Sequence, residues 1–283
     1  MSARSNPPRA CIIGWPVQHS RSPLIHRYWL KELKIEGSYE LAEVSPEDLP
    51  KFVRGLHGAG FAGANVTLPH KETAFALCDA VTDTAAGLKA VNTLWFADGR
   101  LHGGNTDVAG FLGSLDQEAP GWDKGLEGAA VLGAGGAARA IIYALKIRGA
   151  RRIFVINRTL ARAEELAAQF GPLVEALDFS CVSRALAKAK LLVNTTSLGM
   201  SGQPPLAADL SPLPADAVVS DIVYVPLESA LIKTAKARGL RAVAGLGMLL
   251  HQAVPGFERW FGVRPQVTPE LRALIEADIL ASL

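Results

Sequence analysis

The run AAVLGAGGAARAIIYALKIRGA, residues 129–150, limits the fold more than any other part of the chain. A short apolar stretch ends at Gly133, and Gly133-Ala134-Gly135-Gly136-Ala137-Ala138 follows as a GxGxxG/A pattern. Apolar residues then recur at helical spacing until Gly149 supplies a stop. Glycines there permit a tight turn and let a pyrophosphate approach the backbone N–H groups at a helix N-terminus. Strand, glycine turn and helix in immediate succession therefore predict a dinucleotide-binding α/β unit built on a parallel sheet.

The next strand, RIFVI, bears on which dinucleotide. An NAD-binding unit usually carries an Asp or Glu about 20 residues on, for the ribose 2′-hydroxyl. Here the strand ends at Asn157, followed by Arg158, Thr159 and, one turn later, Arg162. Guanidinium groups bind phosphate bidentately and stay charged. A cation at a helix start is unfavourable unless an anion compensates it. The pair thus predicts a 2′-phosphate, and so NADP(H).

Elsewhere strand and helix signals alternate. ACIIG (10–14), SYELAEV (38–44) and GANVT (63–67) read as strands. Ser22-Pro23 and Ser45-Pro46 read as N-caps with proline at the first helical position, opening helices to about Leu33 and His57. Asp98-Gly99 between two short apolar runs is a hairpin signal. Beyond a loop at GWDKGLEG, the segments RRIFVINRT, KLLVNTT, AVVSDIVY and RAVAG read as strands. The helices LARAEELAAQFG and LESALIKTAKARG lie among them, and the last forty residues are mostly helical, with one helix opened by Thr268-Pro269. This alternation predicts an α/β fold with a parallel sheet covered on both faces.

Composition narrows the function by exclusion. At 283 residues and 49% hydrophobic, the chain can build two ordinary domains. Its 29 basic and 27 acidic residues leave a formal charge of +2, which gives no electrostatic case for a nucleic acid or membrane partner. Cys11, Cys78 and Cys181 are too scattered for a disulfide framework, and the six histidines form no HExxH, so no metal is expected. The opening MSARSNPPRA has no apolar core of a leader peptide, and the expected location is the cytoplasm.

An NADP unit implies hydride transfer, so the first hundred residues should supply a polar pocket and a proton donor. Polar clusters do fall at strand ends: HSRSP (19–23), NVTLPHK (65–71), AVNT (90–93) and GGNTD (103–107). Ser20, Ser22, Thr67, Asn92 and Asn105 suit a hydroxylated or carboxylated ligand, although each alone is an ordinary cap or turn residue. The strong acid–base candidates, Lys71 and Asp107, lie on two of these ends.

With these segments in view the chain resembles the shikimate/quinate dehydrogenase family. The resemblance rests on GWPVQHSRSPLIH (14–26), NVTLPHK, AVNT, GGNTD, GAGGAARA, NRTLARA, NTTSLGM (194–200), VYVP (223–226) and GLGMLLHQA (245–253), in order over about residues 10–255. It implies two domains: an N-terminal α/β substrate-binding domain completed by C-terminal helices, 1–106 with 245–283, and a Rossmann-type NADP-binding domain, 107–244. It implies that Ser20 and Ser22 hold a substrate carboxylate near Tyr224. Thr67, Asn92, Asp107 and Gln252 then bind ring hydroxyls, and Lys71 is catalytic with Asp107 beside it. For the cofactor it implies Gly133, Ala134, Gly135, Gly136 and Ala137 at the diphosphate, and Asn157, Arg158, Thr159 and Arg162 at the 2′-phosphate. Ile222 and Gly245 fall near the nicotinamide, and Asp83 is a further acidic position associated with the cofactor. His70 and His251 occupy positions where the family varies, and Trp15 and Gln18 decorate the first motif.

The resemblance implies reversible reduction of 3-dehydroshikimate to shikimate with NADPH, by a monomer or homodimer, with Lys71 donating the proton. Two other readings stay open: a quinate or dual quinate/shikimate dehydrogenase, and a catalytically silent NADP-binding sensor.

Overall fold

The computed structural model describes residues 7–206 and 208–283, so the reading of the first six residues lies outside it. The chain divides into two compact units, Met1–Thr106 with Gln252–Ile275 and Asp107–His251 with Glu276–Leu283.

In the first unit the elements run β1 (Arg9–Gly14), α1 (Ser22–Glu32), β2 (Ser38–Glu43), α2 (Leu49–Gly55), β3 (Phe61–Val66), α3 (Lys71–Leu77), β4 (Ala80–Val81), α4 (Asp83–Leu88), β5 (Thr93–Ala97) and β6 (Arg100–Gly104). Six strands pair in the order β2-β1-β3-β5-β6-β4. β1 lies parallel between β2 and β3, but β5 is antiparallel to both β3 and β6. This sheet is mixed, where strand–helix alternation alone predicts a parallel one. The cause is the hairpin at Asp98-Gly99, whose positive φ values of 51° and 71° suit a two-residue turn.

Cys11 and Ile13 of β1 pack into a core with Val44, Leu49, Val53, Ala64 and Val66. A second group gathers aromatic rings around His26, with Tyr39 stacked at 4.0 Å and Trp29, Phe257 and Trp260 within 6 Å. Gly63 is required here. A Cβ would strike Leu94 O and the Trp260 indole, which donates Nε1–H to that same carbonyl at 2.9 Å.

Two helix starts differ from the sequence expectation. Ser22 is the first residue of α1 rather than its cap, and no side chain caps that helix from Arg21. Ser20 Oγ instead accepts the Ser22 N–H at 3.3 Å, and Pro23 in the first turn has no N–H to satisfy. Ser45 caps only a turn: its hydroxyl accepts the Asp48 N–H and donates to Asp48 Oδ2, and α2 begins at Leu49.

The second unit continues with α5 (Asp107–Glu118), β7 (Gly128–Leu132), α6 (Gly136–Ile147), β8 (Arg152–Ile156), α7 (Leu160–Phe170), β9 (Val174–Leu177), α8 (Val182–Leu186), β10 (Leu191–Asn194), β11 (Val218–Asp221), α9 (Ala230–Ala237) and β12 (Arg241–Val243). Two helices follow, α10 (Leu246–Phe261) and α11 (Pro269–Ala281). The strands are all parallel in the order β12-β11-β10-β7-β8-β9, the doubly wound arrangement with its switch point between β7 and β10. One core runs through Ala130, Leu132, Phe154, Ile156, Leu192 and Val219. Helix α5 carries Val108, Phe111 and Leu115 on its buried face. Gly113 lets it lie against His251, and Gly247 of α10 in turn faces Ser114 and Glu118. Helix α9 starts at Ala230, later than the apolar pattern predicts, because Ser229 Oγ accepts the Ile232 N–H.

Candidate active site

In the first unit, strand register gathers the polar segments. β1 and β3 are parallel neighbours, so the loops that follow them, Trp15–Arg21 and Thr67–His70, leave the same end of the sheet. Trp15 N–H donates to Leu68 O at 3.1 Å and Thr67 N–H to Ile13 O at 2.9 Å, which ties the two loops together. β5 runs the other way, so its first residues meet the last residues of β3: Val66 N–H donates to Asn92 O at 2.8 Å. Asn92 N–H donates to Gly104 O at 3.0 Å, which adds the end of β6. All four polar segments therefore share one sheet edge.

Asn92 is fixed there. It is buried, and its Oδ1 accepts the Thr106 N–H at 2.8 Å and the Thr93 hydroxyl at 2.9 Å. With the carbonyl so engaged, a ligand contact from Asn92 is a donated one. The Thr67–Lys71 segment is held from the other side by His70, which is buried and donates Nε2–H to Val44 O at 2.8 Å. Lys71 is the first residue of α3 and half-buried, and its carbonyl accepts the Val91 N–H at 2.9 Å. Helix start and strand end thus coincide at this lysine. Ser20 and Thr67 are half-buried and Ser22 is buried. Asn105, also at this edge, braces the β6 end by donating Nδ2–H to Ala90 O at 3.1 Å. Gln252 belongs to this unit by way of the C-terminal residues.

Two residues outside the candidate ligands complete the edge. Tyr39 donates its hydroxyl to Asn65 Oδ1 at 2.6 Å, and Asn65 donates its amide to Asn92 O and Thr93 Oγ1. Burial pushes the Tyr39 phenol well up, opposed by the neighbouring Ser22 hydroxyl. The chain of polar groups therefore runs beneath the surface from Ser22 to Thr106. The one signal for Asn65 was an amide inside an otherwise apolar strand. His26, fully buried, is pushed down to about 3 by that burial, with Asn65 offsetting part of the effect. Neither of its ring nitrogens meets the geometry of a hydrogen bond among the described residues.

The second unit carries the cofactor candidates. Gly133 has φ 103°, and a Cβ there would collide with Thr195 and Thr196 of the turn after β10. Around Gly135 and Gly136 the space beyond Cα is open, and the twelve-residue helix α6 begins at that point. Open space before exposed helix N–H groups is a cradle for phosphate. At the end of β8, Asn157 Nδ2–H donates to Thr159 O at 2.8 Å, and Arg158, Thr159 and Arg162 are exposed. These residues fit a phosphorylated dinucleotide. Gly245 packs flat on the backbone of Ile222 and Val223, where any side chain would strike both carbonyl oxygens. Tyr224 follows two residues after Ile222 and is half-buried. Asp107 opens α5 in this unit, while Asp83 is an exposed residue of α4 in the first, a different unit from the glycine turn.

A buried carboxylate lies here that no sequence motif marks. Asp221, at the end of β11, is completely buried, and burial raises its pKa against the hydrogen bonds from Ser229, Val223 and Asn194. An isolated acid closing the apolar run VVSD was the available signal.

A doubly wound parallel sheet with a glycine cradle at its switch point defines a dinucleotide-binding protein, and comparison with known proteins gives the family. Residues 12–94 match the shikimate dehydrogenase substrate binding domain. Residues 124–200 match shikimate / quinate 5-dehydrogenase, and 245–274 the shikimate 5'-dehydrogenase C-terminal domain. The chain is 58% identical over 276 residues, 98% of each chain, to the shikimate dehydrogenase (NADP(+)) of Methylocella silvestris. Among solved structures it is similar to shikimate 5-dehydrogenase from Thermus thermophilus in complex with NADP(H) and shikimate, at 38% identity and TM-score 0.81, covering 98% of this chain and 100% of that one. It is also similar to quinate dehydrogenase from Corynebacterium glutamicum in complex with NAD, at 31% identity and TM-score 0.88, covering 96% and 99%. The chain belongs to the shikimate dehydrogenase family, and it is an oxidoreductase. Among the described residues no helix is long and apolar enough to cross a membrane, and no cluster of His, Cys, Asp or Glu could hold a metal.

Proposed function

We propose that this chain catalyses the reversible, NADPH-dependent reduction of 3-dehydroshikimate to shikimate, a step of chorismate and aromatic amino acid biosynthesis. The observation that carries the reading is the convergence of four polar strand ends, with Lys71 among them, on one edge of the first sheet. Near-full-length similarity to NADP(+)-linked shikimate dehydrogenases supports it. We assign substrate binding to residues 1–106 with 245–283 and cofactor binding to residues 107–244. The protein acts in the cytoplasm as a monomer or homodimer.

In this assignment Ser20, Ser22 and Tyr224 hold the substrate carboxylate, and Thr67, Asn92, Asp107 and Gln252 hold its ring hydroxyls. Gly133 to Ala137 would hold the cofactor diphosphate, Asn157, Arg158, Thr159 and Arg162 its 2′-phosphate, and Ile222 and Gly245 would border the nicotinamide. Asp83 is assigned a lesser part on the cofactor side. NADPH, when bound, supplies a hydride to C3 of the substrate. Lys71 donates a proton to the C3 oxygen, which avoids a free alkoxide. Asp107 orients the ammonium group. Positioned general-acid catalysis of this kind contributes roughly 10²–10⁴-fold.

A quinate reading draws on the fold similarity to quinate dehydrogenase. Fold does not choose between substrates, since quinate differs from shikimate only by a hydroxyl on the carboxylate-bearing carbon and a saturated ring bond there, and one such group shifts discrimination by only ~1–3 kcal/mol. Exposed Arg158 and Arg162 favour NADP(H), whereas that neighbour is complexed with NAD. A spectrophotometric assay of shikimate and quinate, each with NADP+ and NAD+, tests the proposal. Turnover is expected to be fastest with shikimate and NADP+. Preference for quinate overturns the substrate assignment, and no turnover with any pair favours a silent sensor.

A further inference from the structure

Asp221 is a buried carboxylate, and among the described residues the three groups that donate to it are neutral. Oδ1 accepts Asn194 Nδ2–H at 2.9 Å and Val223 N–H at 3.0 Å, and Oδ2 accepts the Ser229 hydroxyl at 2.5 Å. Removing a carboxylate from water is costly unless its hydrogen bonds are well made. A plain helix cap would not require it, because Ser229 already caps α9 by accepting the Ile232 N–H.

What the carboxylate joins is informative. Asn194 is itself completely buried. Its Oδ1 accepts the N–H and hydroxyl of Thr196, and its Nδ2 also reaches Leu198 O. Asn194 thereby shapes the turn after β10, and Thr195 and Thr196 of that turn press against Gly133. On its other side Asp221 holds Val223, whose carbonyl accepts the Gly245 N–H at 3.2 Å. The backbone of Ile222 and Val223 is thus clamped between the carboxylate and Gly245. One side chain links the wall of the glycine turn to the Ile222–Tyr224 loop.

We propose that Asp221 is a positioning residue that fixes the Ile222–Tyr224 loop relative to the glycine turn, and so sets where the nicotinamide end of the cofactor lies once the diphosphate is seated. The inference rests on the reading that Ile222 borders the nicotinamide. It separates two properties of cofactor binding. In the assignment above the phosphates seat on Gly133–Ala137 and on Arg158 and Arg162, and the hydrogen bonds of Asp221 go instead to Asn194, Val223 and Ser229. Alignment of the reacting ring depends on the loop, and a misplacement of about 1 Å can cost on the order of 10²-fold in rate.

The test compares the wild type with Asp221→Ala, Asp221→Asn and Ser229→Ala. Amide exchange of the ligand-free proteins, NADPH affinity by fluorescence, and kcat with NADPH and with its 4-deuterated form are measured for each. Asp221→Ala is expected to speed exchange at residues 222–224 and 195–196, to lower kcat by about 10- to 100-fold and to raise the deuterium isotope effect. NADPH affinity should stay within about threefold. Asp221→Asn keeps an acceptor for Asn194 and Val223 and is expected to recover most of kcat. Ser229→Ala removes one contact and gives a smaller change in the same direction, which keeps the test alive if Asp221→Ala does not fold. A folded Asp221→Ala with lower thermal stability but wild-type kcat and isotope effect overturns the proposal. If the wild type itself turns over no substrate, the functional reading fails instead.

Discussion

The two sheets place their polar residues at strand ends, but they assemble them differently. In the second unit the cradle is local: Gly133, Gly135, Gly136 and the start of α6 are consecutive in sequence. The neighbouring arginines follow at the end of the adjacent strand β8. In the first unit the edge draws on segments between Ser20 and Thr106, and only the register of a mixed sheet unites them. A parallel unit can announce its ligand in one motif, because switch-point geometry repeats wherever such a sheet is built. A mixed sheet announces only a set of polar strand ends.

The two units should respond differently to substitution, and the largest effect falls in the first. Lys71→Ala in the first unit is expected to lower kcat by roughly 10²–10⁴-fold with a modest change in KM, read in a steady-state assay. Unchanged kcat removes Lys71 from the chemistry. In the second unit, replacing both Arg158 and Arg162 by alanine should cost NADPH about 10- to 100-fold in KM while NADH changes little, since charge-assisted bonds contribute ~1.5–3 kcal/mol. Equal losses for the two cofactors would contradict the phosphate assignment. Gly245→Ala forces a methyl group onto the Ile222 and Val223 carbonyls and should destabilise the protein by ~1–3 kcal/mol, seen as a lower Tm.

A pH dependence is also expected, specific to the first unit. His26 binds its proton at about 3 in the folded protein and near 6.5 when unfolded, so the unfolded state binds more protons between those values. Its contribution is fully present above pH ~6.5 and declines as pH falls toward 3, by up to ~1.4 kcal/mol per pH unit. Asp221 in the second unit has the opposite sign. Its pKa is raised on folding, so acidification through that pKa relieves the cost of its buried charge. Urea unfolding of wild type and His26→Phe across pH 4–7 should therefore show the shallower acid slope in the variant. Identical slopes would remove His26 as the source.

Much of this was legible in the residues. The glycine turn, the β8 arginines, the Asp98-Gly99 hairpin and the four polar strand ends each have a local cause in side-chain size, charge or φ preference. The unread parts depend on partners distant in sequence. Helix α5 carries Gly110 and Gly113, which weaken a helical pattern, and the latter is there to accommodate His251. Ser22 looked like a cap because a hydroxyl precedes proline, but the helix already includes Ser22, whose own N–H is accepted by Ser20. Asn65, Tyr39 and Asp221 read as incidental polar residues until strand pairing gives each its donors and acceptors.

The proposed division of labour has the second unit binding the cofactor and Lys71 of the first handling the proton. NADPH binding to Lys71→Ala, titrated by fluorescence on the same preparation used for turnover, tests it most directly. The expected result is wild-type affinity for NADPH with turnover reduced at least about 100-fold. Wild-type turnover, or NADPH affinity lost in step with turnover, would contradict it.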